Sequence, residues 1–141
     1  MAHPVTPLPE EPRYCIIAFL SKAPSKTLDE FRDYYENSHI PLVLRTVRAA
    51  LPAGIPFPTL VYVRRYLDSQ TPVVTASGEL AGFDCMTELQ FASKEVFEKY
   101  WMAPLSQGEA GKAIGEDEER FLSRGRTMAY QFEMHQTEGG K

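Results

Sequence analysis

The stretch YYENSHIPLVLR, residues 34–45, has the apolar spacing of an amphipathic helix but carries a proline, Pro41, in its interior. Proline has no amide hydrogen, and its ring clashes with the carbonyl four residues back, here that of Asn37. A helix reaching this point must therefore end or kink near Ser38 and His39. At the first turn of a fresh helix the same residue costs nothing, because that amide would be unpaired anyway. The simplest expectation is a broken helix, one segment over about 27–38 and another over about 41–51, with His39 at the break where backbone groups are free. The start is well marked: Thr27 offers a hydroxyl to the orphan amides, and Asp29 and Glu30 sit at the positive end of the macrodipole. Leu28, Phe31 and Tyr35 fall on one face.

The remaining elements follow from periodicity and breakers. YCIIAFL (14–20) is a continuous apolar run ended by Lys-Ala-Pro-Ser, hence a first strand. PAGIPFP (52–58) is a turn region. TLVYVRRYL (59–67) reads as a strand with Leu60, Tyr62, Arg64 and Tyr66 on one face. A polar loop from Asp68 to Gly82 is longer than a hairpin needs, which makes it a candidate lid. In FDCMTELQF (83–91), Phe83, Cys85, Thr87, Leu89 and Phe91 face one way and Asp84, Met86, Glu88 and Gln90 the other. Ser93 caps a short helix, KEVFEKYWMA, that Pro104 should stop. After a glycine-interrupted stretch, GEDEERFL (115–122) reads as a brief helix with an acidic first turn. RTMAYQFEMHQ (126–136) is a closing strand, with Met128, Tyr130, Phe132 and Met134 opposite Ala129, Gln131, Glu133 and His135. The order β, broken α, β, β, α, β is that of a split βαβ, ferredoxin-like α+β fold: an antiparallel four-stranded sheet with helices on one face. The other face is then either polar and wet or covered by a second copy of the chain.

Composition removes several function classes. A chain of 141 residues, 43% hydrophobic and 24% charged, is long enough for one domain with its own core. Residues 14–136 are expected to form that domain, between a proline-rich arm over 1–13 and a short tail over 137–141. The net charge of −4, with Lys and Arg scattered, disfavours nucleic acid. No run approaches the roughly 18 apolar residues of a membrane span, and the N-terminus lacks the pattern of a secretory signal. Cys15 and Cys85, each inside a strand, read as reduced core thiols, so a cytoplasmic location is expected. The three histidines are far apart and accompany no metal-ligand spacing; phosphate-binding glycine loops and nucleophile elbows are missing, and no internal repeat is visible. No metal or other cofactor is expected from these residues.

LDEFRDYYENSHIPLV resembles the first-helix motif of the EthD-like family of dimeric α+β barrels, in which a histidine precedes a proline-leucine pair. FDCMTELQFASKEVFEKYW is similar to that family's third strand and following helix, and EDEERFL fits before the last strand. The likeness spans most of residues 14–134. It implies a homodimer whose sheets form a barrel, with a cavity in each protomer between the sheet and the kinked helix. Similar fungal proteins act in aromatic polyketide pathways as small cofactor-free decarboxylases, dehydratases or cyclases, so the resemblance narrows the class and not the substrate.

His39 is the first candidate for chemistry, since imidazole best exchanges a proton near neutral pH; the alternative is a ring that only satisfies free carbonyls at the helix break. Asp84 and Glu88 share a strand face about 13 Å apart, too far to touch, so they would bracket a cavity as base and acid or else pair with Arg64 or Arg65. Tyr62, Arg64, Tyr66, Trp101 and Tyr130 are candidate substrate-binding residues, a phenol beside a guanidinium suiting an enolate or carboxylate. Phe97 and Phe132 read as core, His135 as surface and His3 as tail. The expected function is a cofactor-independent lyase, decarboxylase or dehydratase, acting on an aromatic polyketide or β-keto acid by general acid/base catalysis in an apolar cavity. The alternatives are a cyclase or isomerase in the same cavity, a non-catalytic small-molecule-binding dimer, and a haem-dependent oxygenase or peroxidase.

Overall fold

The computed structural model describes residues 13–68, 73–135, 137 and 139. Residues 1–12 of the expected arm and the 69–72 part of the loop thus lie outside the described residues, as does His3. Strands β1 (Tyr14–Leu20), β2 (Thr59–Tyr66), β3 (Cys85–Phe91) and β4 (Met128–Phe132) form one sheet in the order β2-β3-β1-β4, with every neighbouring pair antiparallel. This is the expected ferredoxin-like α+β arrangement. Ile16, Ala18, Leu20, Cys85, Thr87, Leu89 and Phe91 take the helix side, while Cys15, Ile17 and Phe19 lie opposite Phe132, Tyr130 and Met128 on the other face. Leu60 is the bulged residue where the β2–β3 register shifts, and it is exposed; Tyr62, Arg64 and Tyr66 keep the shared face.

The first helix is not broken. It runs through α1 (Leu28–Tyr34), a π turn (Tyr35–His39) and α2 (Ile40–Ala50). Thr27 and Glu30 form a full capping box at its start. The wide turn absorbs the proline: the amide of Ile40 reaches back five residues to the Tyr35 carbonyl, so the helix carries one extra residue where Pro41 could not have completed an α turn. It also rephases the buried stripe, which steps from Phe31 and Tyr35 to Ile40, Val43 and Val47. The same device recurs in the second half of the chain. After α3 (Lys94–Phe97), capped by Ser93, a second π turn (Glu98–Met102) leads into α4 (Ala103–Ser106), so Pro104 continues the helix instead of stopping it. In both places the proline is the second residue after the π turn.

Helix α5 (Gly108–Glu119) begins seven residues earlier than its acidic cluster foretold. Gly111 makes this possible, because a Cβ there would lie 2.4 Å from the Ser106 backbone carbon, inside any tolerable contact. The acidic residues consequently occupy the last turn, not the first. Beyond α5, Leu122 bridges Lys22, and the 3-10 turn Arg124–Arg126 leads into β4. Two apolar clusters fill the space between helices and sheet, one around Phe31, Tyr35 and Phe121, the other around Val47, Phe91 and Trp101.

Both cysteines are free and buried, and burial pushes the Cys85 thiol up to about 11. Among the described residues no helix is long and apolar enough to cross a membrane.

Phe121 is fully buried and stacks near Phe31, Tyr34, Tyr35 and the His39 ring. Replacing it with alanine should cost about 3–5 kcal/mol in urea unfolding. Val73→Ala, in the fully exposed loop, should shift stability by less than about 0.5 kcal/mol.

Candidate active site

A cavity of about 440 Å³ opens between the two apolar clusters. Sheet residues Ala18, Leu20, Tyr62, Thr87 and Leu89 form its floor, and the two π turns contribute Tyr35, His39, Trp101 and Met102. Helix α5 supplies Ile114, Gly115 and Glu118 on the remaining side, followed by Phe121 and Arg124.

His39 is 6% exposed, and its Nδ1 lies 2.8 Å from Oδ2 of Asp117. Asp117, also buried, accepts a hydrogen bond from the Tyr34 hydroxyl at 2.6 Å and another from Arg120 at 3.0 Å. Burial pushes this carboxyl up, but the bonds from Tyr34, His39 and Arg120 outweigh it and hold the group below its ordinary range. An ionised acceptor requires a donor opposite, so Nδ1 carries a hydrogen, and in the neutral ring Nε2 is then the acceptor. Among the described residues Nε2 makes no hydrogen bond, yet no buried nitrogen or oxygen lacks a partner. Nε2 therefore keeps accessible surface, on a residue that lines the cavity.

Two phenols line the same cavity. The Tyr35 hydroxyl is 2.8 Å from Oγ1 of Thr87, and burial raises it well above the ordinary phenol value. Tyr62 is pushed up to about 12, again by burial first. Both are O–H donors at neutral pH, suited to a developing enolate oxygen. Trp101 stands edge-on to Tyr62 at 5.7 Å and completes an aromatic wall. Burial also raises the Glu118 carboxyl at the cavity edge.

The structure thus gathers three of the expected residues, His39, Tyr62 and Trp101, into one cavity and places the others elsewhere. Arg64 grips Glu36 of the first π turn in a two-pronged ion pair at 2.9 and 2.6 Å, the Tyr66 hydroxyl donates to the same carboxylate, and neither side chain lines the cavity. Their role at this site is indirect: the Arg64 guanidinium lies over the Tyr62 ring at 5.1 Å and ties the π turn to β2. Asp84 precedes β3, where its carboxylate accepts the Lys22 amide at 2.8 Å. Glu88 and Tyr130 lie on the opposite sheet face, Glu88 near Arg65 at 3.4 Å and bonded to Gln90 at 2.6 Å. For Glu88 the reason is strand parity, since it alternates with the residues that point at the helices; Asp84 lies ahead of the strand. None of residues 73–82 lines the cavity, so the described part of the loop does not cover it.

Asp117, Tyr35, Thr87 and Glu118 are site residues that sequence reasoning missed. One signal was available. Carboxylates in the last turn of a helix sit at the negative end of its macrodipole, where they are unfavourable unless something positive meets them. Reading that turn as a helix start concealed the anomaly. Among the described residues no three His, Cys, Asp or Glu side chains gather as metal ligands.

A carboxyl whose folded value is depressed stabilises the fold above its unfolded value, near 3.8, and that contribution disappears as pH falls through the folded value. Asp117→Asn should lower stability at pH 7 by about 1–3 kcal/mol. It should also flatten the acid limb of the stability curve below about pH 4 relative to wild type, as read by urea titrations across pH.

No curated protein matches the chain. Among solved structures it is similar to an ethyl tert-butyl ether d (EthD) family protein from Bacillus halodurans C-125, at 20% identity over 87% of this chain and 99% of that one, with a TM-score of 0.52. An EthD-like protein from Ralstonia eutropha JMP134 aligns at 16% identity over 93% and 99% of the two chains, with a TM-score of 0.55. A hypothetical Arabidopsis thaliana protein aligns at 11% identity over 91% and 93%, with a TM-score of 0.51. At these identities the structures share the fold alone. The EthD domain model, however, matches residues 23–125, which hold both π turns, the cavity helices and the His39–Asp117 pair, and the chain therefore belongs to the EthD family.

Proposed function

We propose that the protein is a cofactor-independent lyase acting on an aromatic, polyketide-type β-keto acid or polyphenol, with His39 as its proton shuttle. The observation that carries this reading is the placement of one imidazole: His39 lines an apolar cavity together with Tyr35 and Tyr62, while its Nδ1 is bonded to the buried Asp117 carboxylate. In a dehydration, Nε2 takes the proton from carbon next to a carbonyl, and the electron pair moves onto the carbonyl oxygen, which Tyr35 and Tyr62 meet with O–H groups. The imidazolium, stabilised by Asp117, then returns its proton to the departing hydroxyl, and water leaves. In a decarboxylation Nε2 takes the carboxyl proton, the C–C bond breaks, CO2 departs with the bonding pair left on the enolate, and the imidazolium delivers that proton to carbon. Cyclisation or isomerisation uses the same proton exchange. Aromatic walls and a volume of about 440 Å³ favour a flat ring system as substrate.

The protein would work as a homodimer through the uncovered sheet face. Met128, Tyr130 and Phe132 are 54%, 52% and 38% exposed and adjoin Ile17 and Phe19, an apolar surface unusual for a monomer. Arg65, Glu88 and Gln90 give the other half of that face a polar border.

The decisive experiment is product analysis by mass with aromatic β-keto acids and hydroxylated polyketide intermediates. Wild type should release CO2 or water, and His39→Ala should be slower by about 10²-fold or more. Quenching of Trp101, the single tryptophan, separates the outcomes: ligands that quench it without turning over would favour a binding protein. Equal turnover by His39→Ala would return the ring to a structural role. For the dimer, Tyr130→Asp should halve the mass measured by light scattering while retaining the fold.

A further inference from the structure

Arg64, the cation that sequence reasoning offered to an acidic substrate, is bound on two sides by Glu36. Among the described residues that line the cavity, one permanent cation remains, Arg124, from the 3-10 turn before β4. We propose that Arg124 is the specificity residue of the cavity, holding a carboxylate or phenolate of the substrate at the edge where Glu118 now faces it. The proposal rests on the cavity being the substrate site.

Three features of the guanidinium support it. Its partners are loose: Nε is 3.4 Å from Glu118, and a second nitrogen is 3.4 Å from Glu119, both longer than the 2.6 and 2.9 Å of the Arg64 pair. Several of its five donors are thus uncommitted, in the planar fork that matches a carboxylate. It also packs beside Gly115 of α5, its two terminal nitrogens 3.8 and 4.0 Å from where a Cβ of that residue would stand, which seats it against a helix that walls the cavity. Finally, its inner partner is a weak competitor. Glu118 is part-buried, and burial raises its carboxyl; His39, Asp117 and Arg124 are the charged or titratable groups that act on it. A ligand anion that displaces Glu118 leaves a carboxyl inclined to take up a proton, whereas displacing Glu36 from Arg64 would strand an ionised group.

The test needs no knowledge of the natural substrate. Titration calorimetry of the full chain at pH 7.5 compares 2-naphthoate with 2-naphthamide, a neutral molecule of the same shape. Wild type should prefer the acid by about tenfold or more. Arg124→Gln should bring that ratio near one and leave the amide's affinity in place; Arg124→Lys should retain part of the preference; Glu118→Gln should increase it. The proposal is overturned by equal affinities in wild type, or by a preference that survives Arg124→Gln. Binding of neither probe would overturn it together with the cavity reading. The lyase reading is judged separately: anion preference without turnover in the substrate panel supports Arg124 and sinks the chemistry, and turnover without anion preference does the reverse.

Discussion

Proline has no amide to give, and at positions 41 and 104 that single deficiency shapes the cavity. Each helix could have stopped there. Each instead widens by one residue in the turn just before, so the chain stays helical and the proline sits where a missing hydrogen bond is harmless. The widened turns are also the segments that contribute Tyr35, His39, Trp101 and Met102 to the cavity lining. Because the two halves of a split βαβ fold are related in topology, the same irregularity at the same distance from the same residue type places both turns beside one space. The cavity is what remains between two helices that cannot pack as plain α-helices.

Around that space the polar groups divide by what they are already bound to. Glu36, Arg64 and Tyr66 satisfy one another and brace the first π turn against β2. Asp84 holds a backbone amide and Glu88 belongs to the outer face. Asp117 is buried at the unfavourable end of α5, a position made tolerable by Tyr34, His39 and Arg120 together. That arrangement explains why the His39 ring is oriented as it is: the carboxylate needs a donor as much as the imidazole needs an anchor. The polar groups that line the cavity are the His39 ring, the two phenols, of which Tyr35 is bonded to Thr87, and Arg124 with its long contacts to Glu118 and Glu119.

The sheet shows where strand periodicity helps and where it stops. Within β3 alternation correctly separated an oily face from one bearing Met86, Glu88 and Gln90, and the MAYQF strand was divided correctly as well, but Phe83 and Asp84 lie ahead of the strand and Phe83 packs on Phe19 of the outer face. Which of those faces would meet the helices could not be read from alternation alone. Choosing the carboxylates as site residues amounted to placing the cavity on the wrong side of the sheet. The oily face carries the cavity because the apolar stripes of α1, α2 and α5 need an apolar partner, and two ionisable residues there would have gone unpaired.

The sequence by itself determined the four strands, their order, the helix caps at Thr27 and Ser93 and the irregularity ahead of Pro41, because strand alternation, capping residues and the chemistry of proline act within a few residues of one another. Only the tertiary structure decided which charges are spent and which are free. Asp117 meets His39 across 78 residues, Arg64 meets Glu36 across 28, and Thr87 meets Tyr35 across 52. Partners at such separations are selected by how helices dock on a sheet, and side-chain burial and hydrogen bonding follow from that docking, not from any local spacing.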